Sequence, residues 1–347
     1  MSDAIQTLSL GKDHGSGRTY APGAVAPADG PAAIEIAGFA KSYGAVRAVR
    51  GISLRVARGE IFGFLGPNGA GKSTTIRAML DFIRPTDGAI RVLGLDAHRD
   101  AVAIHRRTGY VPGDVRLPRG ITGRQLLDRY SRMQGLQPIL LDRLIARFEV
   151  EVDRPLQGYS KGMRQKIALV QAFMCDPELV ILDEPTSGLD PISQRAFNTF
   201  LLDEVRGGRT IFMSSHIMSD VEKTCRRVAI IRAGELVAVE RIEALRQRAG
   251  QTVTVEFGVA DRPANLEALS RIPGVVDVAP HGQDAANGAG LGAVTFSVQG
   301  SVDPLIKTLA RYDVAHLSAE EAPLEQVFLR FYEAPATSTA AVASQSA

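Results

Sequence analysis

The stretch IFGFLGPNGAGKST, residues 61–74, decides how this chain is read. An apolar strand pattern, IFGFL, runs straight into GPNGAGKST at 66–74, which fits the spacing G-x-x-x-x-G-K-[ST] and opens a helix at Lys72. Gly66, Gly69 and Gly71 allow the backbone to curl, with Pro67, Asn68 and Ala70 completing the loop, so that successive N–H groups face inward. The helix N-terminus adds partial positive charge, and the two features together make an anion cradle. Lys72 is placed to reach the outer phosphates of a nucleotide, and the Ser73 hydroxyl, next to Thr74, to ligate Mg²⁺.

Further along, LVILDEP at 179–185 places four apolar residues ahead of two carboxylates. A buried strand would deliver Asp183 and Glu184 at its C-terminal end, where α/β sheets bind ligands. Asp183 suits Mg²⁺, and Glu184 suits a general base that deprotonates the attacking water. The segment YSKGMRQK at 159–166 puts Ser160 at the N-cap of a helix, so that Ser160, Lys161 and Gly162 form a second anion-binding terminus. His216 ends the strand TIFMSSH within reach of a γ-phosphate, and Tyr43, upstream of the loop, is positioned to stack on adenine.

Around these motifs the chain divides into distinct regions. Residues 1–33 are rich in Gly, Pro, Ala and Ser without periodicity and are expected to be a disordered tail, as are residues 334–347. Strand patterns from Ile34, then a helical pattern from about 100 to 175, then strands again up to about 243, describe a P-loop core carrying a helical insertion. Within the insertion, Thr122 is expected to cap a helix with Leu126, Leu127, Tyr130 and Met133 on one face, and Leu141, Leu144, Ile145 and Phe148 repeat the spacing. The polar helix RIEALRQRAG at 241–250 marks a junction. Residues 251–333 then read β-α-β-β-α-β, the split pattern of a small ferredoxin-like α/β domain, closed by the helix PLEQVFLRFYE, whose Leu324, Val327, Phe328 and Phe331 share a face. That region holds two histidines, His281 and His316, no cysteine and no Gly-rich loop, and is expected to support dimerisation or regulation without chemistry.

Composition removes several classes. The 347 residues are 45% hydrophobic and 22% charged with net charge +2, which offers no basic excess for a nucleic-acid partner. Two separated cysteines, Cys175 and Cys225, make neither a disulfide framework nor a metal site. No apolar run approaches the roughly 18 residues needed to span a bilayer, so membrane work would require a second chain.

Taken together, these motifs resemble the ATP-binding domain of the ABC transporter family. The matches are Tyr43 as the A-loop aromatic, residues 66–74 as Walker A, 159–163 as the signature, Asp183 and Glu184 as Walker B, SGLD at 187–190 as the D-loop and His216 as the H-loop. The resemblance covers about 34–240. It implies an ATPase with ATP and Mg²⁺, a head-to-tail pair of ATP-binding chains with each ATP between one Walker A and the other signature, and a separate transmembrane permease that holds the chain at the cytoplasmic side of the membrane. Two departures stand out. The usual LSGGQ reads YSKGM, and Gly113 in GYVPGD occupies the place of the Q-loop glutamine. The YSKGM form, GYVPGD and the ending PLEQVFLRFYE look like the ABC-2 drug and antibiotic exporters, which makes export the expected direction. The alternative is a soluble ABC-type ATPase of DNA repair or translation. The first would need a long heptad insertion and the second two P-loop cores, and the sequence contains neither.

Overall fold

The computed structural model describes residues 31–258, 263, 266–280, 292–325, 327 and 328. The expected tails lie outside these residues, apart from Pro31, Ala32 and Ala33; the first strand already begins at Ala32. His281 and Phe331 also lie outside them.

Strands β1 (Ala32–Tyr43) and β2 (Val46–Ala57) form an antiparallel pair; β3 (Ile61–Leu65) leads into helix α1 (Lys72–Met79). Strands β4 (Asp87–Val92) and β5 (Leu95–Asp96) complete a four-stranded antiparallel sheet ordered β2-β1-β4-β5. Helix α2 (Ala101–Arg107) precedes β6 (Thr108–Val111), and α3 (Gly123–Gln134), α4 (Leu141–Phe148) and α5 (Lys161–Phe173) follow. Then come β7 (Leu179–Asp183), α6 (Pro191–Arg206), β8 (Thr210–Ser215), α7 (Met218–Thr224), β9 (Arg227–Arg232), β10 (Glu235–Arg241) and α8 (Ile242–Ala249).

The second sheet is ordered β10-β9-β3-β8-β7-β6, parallel throughout except for the antiparallel pair β9–β10. Every residue of β3, β7 and β8 is buried, as required of parallel strands covered on both faces. The faces separate by alternation. Ile61, Leu65, Val180, Leu182, Ile211 and Met213 join a cluster with the helical layer. Phe62, Phe64, Leu179, Ile181 and Phe212 join a second cluster with Ile34, Ile36 and Phe39 of the antiparallel sheet and Ile76 and Met79 of α1. Each such large side chain contributes about 1.5–3 kcal/mol by burial, which locks the sheet between its two covering layers.

The helical stretch expected over 100–175 is not helical throughout, because β6 within it is an edge strand of the central sheet. Thr122 caps α3 with a full capping box closed by Gln125, as the sequence leads one to expect. Met133 does not share the buried face, however. The buried line of α3 runs through Gly123, Leu127 and Ser131, and Met133 lies off that line, 86% exposed.

Beyond α8, strands β11 (Gln251–Phe257), β12 (Val275–Pro280), β13 (Ala293–Val298) and β14 (Val314–Glu321), with helices α9 (Glu267–Ser270) and α10 (Asp303–Leu309), form an antiparallel sheet ordered β12-β13-β11-β14. This is the arrangement in which each of the two βαβ units is split by a strand of the other. Val253, Val255, Val294, Phe296, Leu269 and Leu305 form its core. Of the closing segment, Leu324 and Val327 are buried in the cluster that holds α5, α6 and α8, so this face covers the ATP-binding core, not the sheet that precedes it.

Candidate functional site

The 66–74 loop joins a buried strand to a helix, and its shape depends on particular glycines. A Cβ at Gly66 would lie 2.4 Å from the carbonyl oxygen of Ile231. Gly71, the N-cap of α1, has φ 110° and would bring a Cβ to 2.9 Å from the Ala48 carbonyl oxygen. The N-cap of α1 is a glycine and provides no side-chain cap, and a helix N-terminus carries the partial positive charge that attracts anions. Lys72 is 4% exposed, and its Nζ donates to the Gly66 carbonyl at 2.7 Å and the Pro67 carbonyl at 3.2 Å. Its ammonium therefore lies inside the curl of the loop.

Strand β7 delivers its carboxylates opposite this loop. Ser73 Oγ donates to Asp183 Oδ2 at 2.8 Å. Glu184 Oε1 lies 3.4 Å from Lys72 Nζ and 3.2 Å from His216 Nδ1. Three segments distant in sequence thus meet at one carboxylate. Ser73, Asp183 and Glu184 open onto a cavity of about 560 Å³, whose other walls include Arg77, Tyr110, Gly113 and Arg116. Burial, and secondarily the Asp183 carboxylate, pushes the Tyr110 hydroxyl up to about 12.

Tyr43, Ser160, Lys161 and Gly162 are not among the walls of this cavity. Tyr43 ends β1 at 48% exposure, with Lys41 Nζ 5.2 Å from its ring centroid. Ser160 caps α5 by accepting from Met163 N at 3.2 Å. Lys161 Nζ donates to Ser187 Oγ at 2.9 Å, and the Lys161 stem lies over Gly188, where a Cβ would meet it at 2.7 Å. Asp190 caps α6 through Ile192 N and Ser193 N. Bonds donated by the side chain and backbone of Ser193 hold the Asp190 carboxyl below the usual carboxylate range.

The ABC transporter family model matches residues 49–187, which include the loop, the signature and both carboxylates. The chain is 38% identical over 246 residues to the Nod factor export ATP-binding protein I of Rhizobium meliloti, covering 68% of this chain and 72% of that protein. It is 34% identical to the daunorubicin resistance ATP-binding protein DrrA3 of Streptomyces coeruleorubidus, covering 70% and 79%. The chain belongs to the ABC transporter family. It is an ATP-binding subunit of that family and an ATPase. A solved structure described as the ATP-binding subunit of an ABC transporter is 29% identical, with TM-score 0.58 over 62% of this chain and 92% of that one. The fold is shared with the dimeric, ADP- and phosphate-bound cassette MJ0796, with TM-score 0.56 at 18% identity.

Within an ABC ATPase, the donor set next to the loop suits Mg²⁺. Ser73 Oγ and Asp183 Oδ2 are hard oxygens already converged on each other. Among the described residues no group of three or more His, Cys, Asp or Glu is placed to hold a metal ion. A Cβ at Gly113 would be 3.6 Å from the Asp183 carboxylate. Sequence reading missed three neighbours of this site: Arg77, Tyr110 and Ser214. Arg77 stands four residues after Ser73 on one helix face, Tyr110 precedes Gly113 in an edge strand, and Ser214 lies two residues before His216. Only Arg77 carried a usable signal, its spacing.

Proposed function

We propose that this chain is the motor of an exporter, working as a pair of ATP-binding chains attached to the cytoplasmic face of a membrane through a separate transmembrane permease. The observation that supports this best is the convergence of Lys72, Asp183, Glu184 and His216 beside the 66–74 cradle. In this reading the loop N–H groups and Lys72 bind the β- and γ-phosphates and stabilise the charge of the transferring phosphoryl group. Ser73 and Asp183 would hold Mg²⁺, which neutralises charge on the phosphate oxygens. Glu184 accepts the proton of the attacking water, and His216 orients the γ-phosphate. Tyr43 stacks on adenine. Ser160, Lys161 and Gly162 serve the nucleotide held by the second chain, consistent with their lying outside the first chain's own cavity.

The relatives' names place them in Nod factor export and daunorubicin resistance, which supports export here. Among the described residues no helix is long and apolar enough to cross a membrane, so the pathway would belong to the permease. The helical face at about 100–160, with Asp114 and Arg116 exposed, is the proposed docking surface. Residues 251–333 would support the pair or its regulation. Turnover per chain measured against protein concentration tests the paired mechanism, and it should rise with concentration. Full activity from a strictly monomeric sample would contradict it, and recovery without any membrane partner would contradict the docking.

A further inference from the structure

The last two residues of β8 are serines, and the first of them is fully buried at the point where β7 ends. Parallel pairing sets Ser214 directly beside Asp183. Its Oγ donates to Asp183 Oδ1 at 2.5 Å and accepts from the backbone N–H of Glu184 at 3.2 Å. One hydroxyl therefore bridges the two carboxylate residues of the site. The other oxygen of Asp183, Oδ2, is left facing Ser73. Glu184 takes φ 50°, a left-handed conformation that a non-glycine residue adopts only when its surroundings impose it. The Ser214 carbonyl oxygen also lies 3.2 Å from the same Glu184 N–H.

We infer that Ser214 is a positioning residue for catalysis: it fixes the rotation of the Asp183 carboxylate so that Oδ2 faces the cation, and it helps to pin the backbone of Glu184 in the turn that aims its carboxylate at Lys72 and His216. A buried hydroxyl offers one donor and acceptor capacity, and both are used here by groups of the site. The family motifs read from the sequence do not include this position. The inference rests on the proposed roles of Asp183 as a metal ligand and Glu184 as the base. Groups that hold a ligating carboxylate in place typically change metal affinity or activity by about 10–100-fold when removed.

The test uses the full-length chain and the variants S214A, S214T and D183N. ATP affinity is measured with a fluorescent ATP analogue in chelator and across a Mg²⁺ titration, alongside kcat and melting temperature. S214A should keep the metal-free nucleotide affinity, raise the half-saturating Mg²⁺ concentration by about 10-fold and lower kcat by a similar factor. S214T, which retains the hydroxyl, should restore both. If S214A melts too early to assay, S214C keeps the volume with a weak donor and carries the same expectation. D183N separates the two levels of the reading. If it shifts the Mg²⁺ dependence and S214A does not, the inference is overturned; if neither variant shifts it, the metal role of Asp183 falls as well. A loss of nucleotide affinity in S214A that is equal with and without Mg²⁺ marks a general packing defect and also overturns the inference.

Discussion

Strands β8 and β13 each have six residues, yet β8 is buried at every position whereas β13 alternates between buried and half-buried. The first lies inside a parallel sheet covered on both faces. The second lies in a sheet whose helices cover only the face carrying Val294, Phe296 and Val298, leaving Thr295 and Ser297 on the other. A doubly covered sheet cannot present chemistry on its faces, so its polar residues collect where the strands end. Asp183, Ser214 and Ser215 close β7 and β8, with Glu184 and His216 just beyond. A singly covered sheet has no such focus. Its open face mixes Thr252, Thr254, Thr295 and Ser297 with the charged or polar Glu256, Asp277, His316 and Glu320, and none of its described residues lines the cavity beside the 66–74 loop.

This contrast predicts that catalysis and C-terminal stability respond to different residues. The largest effect is expected from Glu184→Gln, which should bind ATP normally but lose at least about 100-fold in kcat, the scale of a lost general base. Steady-state turnover beside equilibrium nucleotide binding checks it, and near-normal turnover would remove the base assignment. Phe296→Ala, at a fully buried position in the second sheet, should cost about 3–5 kcal/mol of that domain's stability and leave ATP affinity unchanged. Denaturant unfolding followed together with nucleotide binding reads both quantities; a fall in ATP affinity would break the separation of the two regions.

The contrast sharpens at the point where the regions meet. Leu324 follows the second sheet in the chain but is buried in the cluster of the ATP-binding core. Leu324→Ala should therefore lower the stability of the ATP-binding core by about 2–5 kcal/mol, the ordinary range for truncating a buried leucine. Unfolding curves of the whole chain test this. Loss confined to the C-terminal sheet would show that the closing segment belongs there instead. The smallest effect on stability is expected from Gly113→Gln. The three atoms nearest a Cβ at this position all belong to Asp183, at 3.5 Å or more, which is ordinary contact, so the change should shift stability by no more than about 0.5 kcal/mol. Melting temperature is the readout, and a large drop would mean that the cavity wall depends on the glycine.

Most of the site could be read from sequence because its residues come as contiguous motifs with fixed local geometry. A glycine loop between strand and helix needs little beyond its own residues to become an anion cradle, and LVILDEP announces a buried strand ending in acid. The split strand order of 251–321 was likewise legible from alternation and turn spacing. What stayed hidden was contact between distant segments. Ser214 reads as an ordinary strand residue until β8 pairs beside β7. TGYV at 108–111 reads as part of a helical stretch until it is seen to be an edge strand of the central sheet. Met133 fits a helical spacing, but only packing selects which line of α3 is buried.

By itself the sequence determined the kind of chemistry to propose: the loop, Lys72, the paired carboxylates and His216 are the residue types, in the order, from which phosphate binding and hydrolysis are inferred. Tertiary structure alone decided how those groups meet. The 3.4 Å between Glu184 and Lys72, the bridge through Ser214 and the seating of Leu324 on the ATP-binding core depend on which strands are neighbours and which faces are covered. Those relations are set by the burial of whole sheets, a cooperative property of the folded chain that no local stretch of residues carries.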